Sequence, residues 1–442
     1  MMTAAAKLHS SKQPALVVGL GLTGWSVVRF LRARDESVVV TDTREAPPFL
    51  DQMREVHPEV SFVVDLPTDE YDKYREIIAS PGLSVSTGHV IGDIELFARE
   101  ATAPIIGITG SNGKSTVTTL LGEMLTNAEY SVLVGGNIGT PALDLLDLPI
   151  PDFYILELSS FQLETTSSLS PCAAVVLNIS EDHMDRYTNV SEYAQAKFHI
   201  YDSAGCRVVN RDDKYVRQNL ETSGALSFGL DQGTSGHYGL VNDAGKKYFA
   251  KGRQKLVPVT DLVLQGQQNM SNVLAAMALV ECAGLELSKS MIEAAMKFKG
   301  LPHRCELVGA WEEVRWINDS KGTNVGATLA AIKGVEGSVI LIAGGQGKGA
   351  DFRSLATEID KSVKAVVLFG EDASIISGAI NSQHKVKIAA SLSHAIELAA
   401  DQSETGDTVL FSPACASFDM FDSYEHRGDA FRKLVNERHR AQ

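Results

Sequence analysis

The chain holds 442 residues, 44% of them hydrophobic and 21% charged, the make-up of an ordinary globular protein with room for two to four domains. A formal net charge of −15 excludes a general binder of nucleic acid or membrane surface, since either needs a basic face, so anionic ligands must be held by local lysines, arginines and helix starts. Five cysteines (Cys172, Cys206, Cys282, Cys305, Cys415) are widely spaced with no C-x-x-C pair, so neither a metal cluster nor a disulfide framework is expected, and a reducing cytoplasm is. The polar start MMTAAAKLHSSKQP has no apolar signal core, and no apolar run approaches membrane-spanning length.

Apolar β-like runs alternate with helical patterns, the signature of α/β units on largely parallel sheets. Strands are expected over Ala15 to Val18, Val38 to Thr41, Ile77 to Ala79, Ile105 to Thr109, Tyr154 to Leu158, Ala174 to Asn178, Arg207 to Asn210, Val339 to Ala343, Ala365 to Phe369 and Thr408 to Ser412. These are too many for one sheet. Proline follows a helical segment near Ala101 to Pro104 and again near Gly300 to Pro302, which sets domains at 1–102, 103–302 and 303–442. The Gly-, Lys- and Gln-rich stretch from Asp231 to Lys255 reads as short hairpins forming an antiparallel appendage.

The first domain carries G-x-G-x-x-G at Gly19, Gly21 and Gly24, after a strand and before a helix, and Asp42 ends the second strand eighteen residues on. A dinucleotide fold places its ribose-binding acid there. The motif specifies only a diphosphate at a helix start with a hydroxylated ring nearby, so NAD, a nucleoside diphosphate sugar and a plain structural turn all stay open. Arg44 could serve a diphosphate or be a solvated arginine.

In the second domain Thr109 to Thr116 reads TGSNGKST, which misses the usual G-x-x-x-x-G-K-[ST] spacing. The physical demands are nonetheless met. Ile105 to Thr109 delivers a strand, Gly110 and Gly113 permit backbone N–H groups to face a phosphate, and Thr116 to Thr126 has helical spacing. Lys114 would reach terminal phosphates and Ser115 would hold Mg²⁺; the alternative is an ordinary strand-turn-helix connection with a solvated lysine. Glu157 ends the strand in FYILELSS, where a carboxylate could complete a Mg²⁺ shell or merely cap. His183 lies in NISEDHMDRY with Glu181, Asp182 and Asp185, either a metal or phosphate group or a loop histidine. Lys197, in the helical YAQAKFHIY, reads as a helix-surface lysine.

The third domain has a second glycine turn, VILIAGGQGKGADF, with Lys348 placed for an anion. In WINDSKGTNVGATLAAI, Asp319 and Lys321 end a strand, and Thr323 or Asn324 caps a helix. In TVLFSPACASFDMFDSYEHRG a strand runs into Ser412-Pro413 and then into an expected helix start bearing Ser417. Three strand-end turns bearing Lys or Ser in one small domain suggest a site.

These segments together resemble the Mur ligase family, and within it the branch that adds D-glutamate. The resemblance is carried by GLGLTGWS, TDTR, GITGSNGKSTVTTL, GGNIG, ELSSFQLE, NISEDHMDRY, YAQAKF, LPHR, NDSKGTN, GGQGKGADF and SPACASFDMF, in family order along almost the whole chain. It implies a Rossmann-like N-terminal domain for a uridine nucleotide, a central ATPase with a shortened phosphate loop, and a Rossmann-like C-terminal domain bearing part of the ATP and amino-acid sites. The implied activity is amide formation between UDP-N-acetylmuramoyl-L-alanine and D-glutamate, driven by ATP, in a cytoplasmic monomer that uses neither nucleic acid nor membrane. By the same resemblance Leu22, Thr23, Asp42, Thr43, Arg44 and Asn137 would contact the UDP substrate. Gly110, Ser111, Asn112, Gly113, Lys114, Ser115, Thr116, Asn269, Asn272, Arg304 and Asp319 would hold ATP. Ser115, Glu157, His183 and Lys197 would serve two Mg²⁺, with Lys197 carbamylated, and Lys321, Lys348, Ser417, Phe418 and Tyr424 would surround D-glutamate. Gln268 and Gln346 depart from the family, which commonly has His and an acid at these places.

Overall fold

The computed structural model describes residues 13–83, 90–184, 186–219, 224–264, 266–335 and 337–440; Asp185 lies outside them. By compactness the chain divides into a first unit, Met1–Thr109 with Ala128–Val175 and Ala196–Arg207, and a second, Gly110–Asn127 with Val176–Gln195 and Val208–Gln442.

The N-terminal sheet is parallel and comprises β1 (Ala15–Val18), β2 (Val38–Asp42), β3 (Ser61–Val64), β4 (Ile77–Ala79) and β5 (Val90–Ile91), in the order β3-β2-β1-β4-β5. Ala15 to Val18 is buried throughout, as a strand covered on both faces must be. The strand order reverses between β1 and β4, which opens a crevice beyond their carboxyl ends. The helix Leu22–Arg32 starts there, and it packs tightly because a Cβ on Gly24 would overlap the Gly19 carbonyl oxygen.

The central sheet comprises β6 (Ile105–Thr109), β7 (Val132–Gly136), β8 (Phe153–Glu157), β9 (Ala173–Val176), β10 (Cys206–Asn210) and β11 (Leu226–Phe228), in the order β11-β10-β9-β6-β8-β7. The expected appendage is an antiparallel sheet of β12 (Tyr238–Asp243), β13 (Lys246–Lys251) and β14 (Gln254–Pro258). Ala244 and Gly245, both at positive φ, make the two-residue turn that suits the twist of a hairpin.

The C-terminal sheet comprises β15 (Glu306–Trp311), β16 (Val314–Asn318), β17 (Val339–Gly344), β18 (Val363–Phe369), β19 (Val386–Ile388) and β20 (Thr408–Phe411), in the order β15-β16-β20-β17-β18-β19. Only β15 runs antiparallel to its neighbour. Alternate residues of its central strands feed two cores: Leu341, Val366, Leu368 and Leu410 on one face, Ile340, Ile342, Val367, Val409 and Phe411 on the other. Helices cover both, the doubly wound arrangement.

Two expectations need correction. Cys172, Cys305 and Cys415 are free thiols, but Cys206 and Cys282 are each disulfide-bonded, for which the cysteine spacing holds no signal. Ser417 does not begin a helix: it sits in a turn where its carbonyl accepts from the N–H groups of Met420 and Phe421, and the helix starts at Tyr424. The turn-forming Asp422 and Ser423 delay it, with Ser423 Oγ accepting from His426 N. Among the described residues no helix is long and apolar enough to cross a membrane.

Candidate active site

In the first unit the crevice at the strand-order reversal is a cleft of about 820 Å³. Gly19, Gly21, Leu22, Thr23, Asp42, Thr43, Arg44 and Asn137 all line it, so the glycine motif, the acid after β2 and the GGNIG segment are brought to one place. Asp42 Oδ2 accepts from Leu20 N at 2.8 Å, inside the glycine turn, and both its oxygens accept from the Arg44 guanidinium, at 2.8 and 2.7 Å. The Arg44 side chain, aided by these backbone bonds, holds the carboxyl down at about 2. An anionic acceptor and a cation thus stand side by side on the wall of the cleft.

Asn137 joins that cleft to Glu157. Its Nδ2 donates to Glu157 Oε1 at 2.8 Å and its N–H donates to the Glu157 carbonyl at 2.9 Å. Glu157 is only 3% exposed and stands opposite Ile108 in register, two residues ahead of the phosphate loop. Gln162, which sequence reading did not single out as a site residue, also lines the cleft. Its signal was present: Ser159 and Gln162 form a capping box, S-x-x-Q, at the start of the helix Ser160–Glu164. Lys197 is 2% exposed, against the surface position that its helical context implies.

In the second unit the phosphate loop is pinned from below. Asn112 N donates to Asn178 Oδ1 at 2.8 Å, Asn178 Nδ2 returns a bond to Asn112 O, and Ser111 Oγ donates to Ser180 O. Gly113 is at φ +83, where a Cβ would come within 2.7 Å of Asn272 Oδ1. The helix Lys114–Asn127 begins directly behind, so its positive end faces the loop. Lys114 Nζ donates to Gly110 O and Ser111 O, arching over the turn, and Arg304 donates to Ser115 Oγ at 2.6 Å. Asn272 Nδ2 reaches Asn269 Oδ1 at 3.4 Å.

His183 stands at φ +56, with its N–H donating to Asp182 Oδ1. Asp182 Oδ2 accepts from Asn324, whose own Oδ1 caps the helix Val325–Gly334 through Ala327 N; of the two candidates, Asn324 is the cap. Asp319 is buried, accepts from Ser412 Oγ and Cys305 N, and is pushed up to about 6 by desolvation. Lys321 Nζ lies 3.8 Å from the Tyr424 ring centre, and Lys348, at φ +49, lies 5.5 Å from that of Phe418. β16, β20 and β17 are neighbours, so the turns bearing Lys321, Ser417 and Lys348 leave adjacent strand ends.

No group of three or more His, Cys, Asp or Glu side chains forms a metal cage among the described residues. A Mg²⁺ shared with phosphate needs only one or two protein oxygens, its remaining positions going to phosphate and water, and the buried Glu157 carboxylate and Ser115 hydroxyl are donors of that hard-oxygen kind.

A phosphate loop after a strand of the central sheet, in a chain whose N-terminal and C-terminal sheets are Rossmann-like and each present strand-end polar turns, is the make-up of a nucleotide-using α/β enzyme. The sequence matches the Mur ligase MurD-like N-terminal domain over residues 13–121, the Mur ligase middle domain over 108–280 and the Mur ligase glutamate ligase domain over 303–415. The chain belongs to the Mur ligase family. It is 45% identical to a UDP-N-acetylmuramoylalanine--D-glutamate ligase of Legionella pneumophila (strain Paris) over 95% of this chain and 98% of that one. The same named ligase of Marinobacter nauticus is 47% identical, over 96% and 98%. Among solved structures, MurF ligase from Thermotoga maritima in complex with ADP shares the fold with a TM-score of 0.63 at 18% identity, covering 91% of this chain and 96% of that one.

Proposed function

We propose that the chain is an ATP-dependent ligase that joins D-glutamate to UDP-N-acetylmuramoyl-L-alanine in peptidoglycan precursor synthesis. It works as a cytoplasmic monomer, with residues 1–102 serving the UDP sugar, 103–302 ATP, and 303–442 the amino acid and part of ATP. The observation that carries this is identity of 45–47% over nearly the full chain to ligases of that name.

In this reading the UDP diphosphate lies at the start of Leu22–Arg32, with Leu22, Thr23 and Thr43 around it, Arg44 as counter-charge and Asp42 accepting from the uridine. Asn137 holds the far end of the substrate. The ATP triphosphate lies on Gly110 to Thr116, with Asn269, Asn272, Arg304 and Asp319 holding the rest of the nucleotide. A carboxylate is too poor an electrophile for an amine, so the γ-phosphoryl group passes first to the alanyl carboxylate, giving an acyl phosphate and ADP. Lys114 meets the charge that develops on the transferred group. The D-glutamate amine, freed of its proton, then attacks the acyl carbon, and phosphate leaves from the tetrahedral intermediate.

Ser115, Glu157, His183 and Lys197 are the groups offered to two magnesium ions. Magnesium would screen two anionic reactants from one another and align them. Lys197, at 2% exposure, is placed too deep for an ordinary surface ammonium; as a carbamate it offers oxygens of the kind magnesium prefers. Lys321 and Lys348 take the D-glutamate carboxylates, aided by Ser417, Phe418 and Tyr424.

The test is phosphate release from ATP in the presence of UDP-N-acetylmuramoyl-L-alanine, scanned over D- and L-amino acids. Release that depends on D-glutamate is expected. Equal or faster release with an L-amino acid, or with a folate acceptor in place of the UDP sugar, would overturn the assignment.

A further inference from the structure

Arg427, on the helix Tyr424–Arg440, is 1% exposed, one of the largest fully buried side chains of the described residues. Its acceptors are not carboxylates. Nε donates to Ser320 Oγ at 3.1 Å, NH2 to Ser320 O at 2.8 Å and to Cys415 O at 3.1 Å, and NH1 to Ala416 O at 3.1 Å. A guanidinium is planar, with its donors in a fixed fork, so acceptors held by all three nitrogens are held at set angles to one another.

The positions of those acceptors give the contact its meaning. Ser320 immediately precedes Lys321 in the turn after β16, and Cys415 and Ala416 immediately precede Ser417 in the turn after β20. Ala416 in turn exchanges both backbone bonds with Gln346, at 3.0 and 2.9 Å, two residues before Lys348 in the turn after β17. Ala414 N donates to Gly322 O at 2.8 Å, closing the first two turns on each other. Gly345 leaves room for the guanidinium: a Cβ there would meet NH1 at 3.2 Å and would overlap Ala416 O.

We infer that Arg427 is a positioning and specificity-determining residue for the amino-acid substrate: one buried guanidinium ties together the turns that carry Lys321 and Ser417, and through the Ala416–Gln346 backbone pair it steadies the turn that carries Lys348. The inference rests on the reading that these turns hold D-glutamate. A dicarboxylate must be gripped at two carboxylates and an amine at once, so its recognition depends on the spacing between turns, and Arg427 sets that spacing. The buried charge has a second effect. Desolvation draws its pKa down to about 10, yet it stays protonated at neutral pH and adds a fixed positive field behind the site, favouring a substrate with two negative groups.

Arg427→Lys keeps the charge but replaces the fork with one compact ammonium. With the folded fraction checked by thermal midpoint, the expected result is a rise in the KM for D-glutamate of about ten-fold or more, the scale of one misplaced charge-assisted bond. The KM values for ATP and the UDP substrate should stay within about two-fold. In Arg427→Ala, free guanidinium should lower the D-glutamate KM again and ethylammonium should not. An unchanged D-glutamate KM in folded Arg427→Lys, or an equal rise for all three substrates, overturns the inference. If lysine is not accommodated, Arg427→Gln is read by the same criteria. Lys321→Ala and Ser417→Ala separate the two levels: if both leave the D-glutamate KM unchanged, the placement of the site fails and the inference with it, whereas if both raise it and the Arg427 variants do not, only the inference fails.

Discussion

Asp93 is the first residue of the helix Asp93–Glu100 and is 2% exposed; its two oxygens accept from Gln162 Nε2 at 3.5 and 3.2 Å. Burial raises its pKa from 3.8 to about 6, against the Gln162 bond and nearby backbone N–H groups that favour the anion. Between those two values the folded chain keeps a proton that the unfolded chain has shed. Stability from this group is therefore full below 3.8, falls as pH rises toward 6, and is lost above it. At ~1.4 kcal/mol per unit, a rise of roughly two units is worth about 3 kcal/mol at neutral pH. Asp93→Asn removes the titration and keeps one oxygen for Gln162, but its new amide must find an acceptor, so a gain of about 1–3 kcal/mol is expected. The variant should unfold a few degrees above the parent at pH 7.5, at ~2–4 °C per kcal/mol for a unit of this size. The gap should close near pH 4, which lies clear of the pI of 5.2, where a chain without net charge associates. Midpoints by circular dichroism at one scan rate give the comparison, since a multidomain chain unfolds irreversibly. A gap of equal size at both pH values, or a variant less stable than the parent at pH 7.5, would refute the reasoning.

Lys114→Ala should lower kcat by ~10²–10³ while the KM for the UDP substrate stays nearly constant, because the lysine meets charge on the transferred phosphate; steady-state phosphate release with all three substrates checks this, and a variant with more than about half the parental rate removes the loop from the mechanism. Lys197→Ala should be crippled and partly restored by formate or acetate, which take the place of the carbamate; no recovery over a concentration series of either acid counts against the modification. Asp42→Asn should raise the KM for the UDP substrate about ten-fold without affecting ATP or D-glutamate, as seen by initial rates. Because Arg44 depresses the Asp42 pKa to about 2, the stability it adds is present above 3.8 and lost as pH falls toward 2, so denaturant titrations of parent and variant should converge over that window.

The parts of the fold legible in the sequence were the strands buried on both faces. ALVV, VVVTD, IIGIT, VILIAG and VKAVVLF are continuous apolar runs because nothing but helix covers them. Strands β3 and β5 gave no such run: they lie at sheet edges, where side chains are part exposed. In the site, glycine requirements were readable because backbone geometry leaves a mark on residue type; Gly113 and Gly24 are fixed by what a Cβ would strike. Burial of a single charged side chain leaves none. Lys197 reads as a surface lysine, and Arg427 as one basic residue in a charged terminal helix; only tertiary packing distinguishes them. Asp93 reads as a first-turn acid, and its partner Gln162 is sixty-nine residues away.

Two of the residues assigned to chemistry, His183 at φ +56 and Lys348 at φ +49, stand on left-handed backbone. For a side chain with a Cβ this conformation costs about 1–2 kcal/mol, which glycine escapes and asparagine partly does. At each place the chain gives up that much stability and gains a side chain that glycine could not supply, so the two positions set what the side chain reaches against how readily the chain bends. Replacing either by glycine should yield a protein that is harder to unfold and poorer at its work.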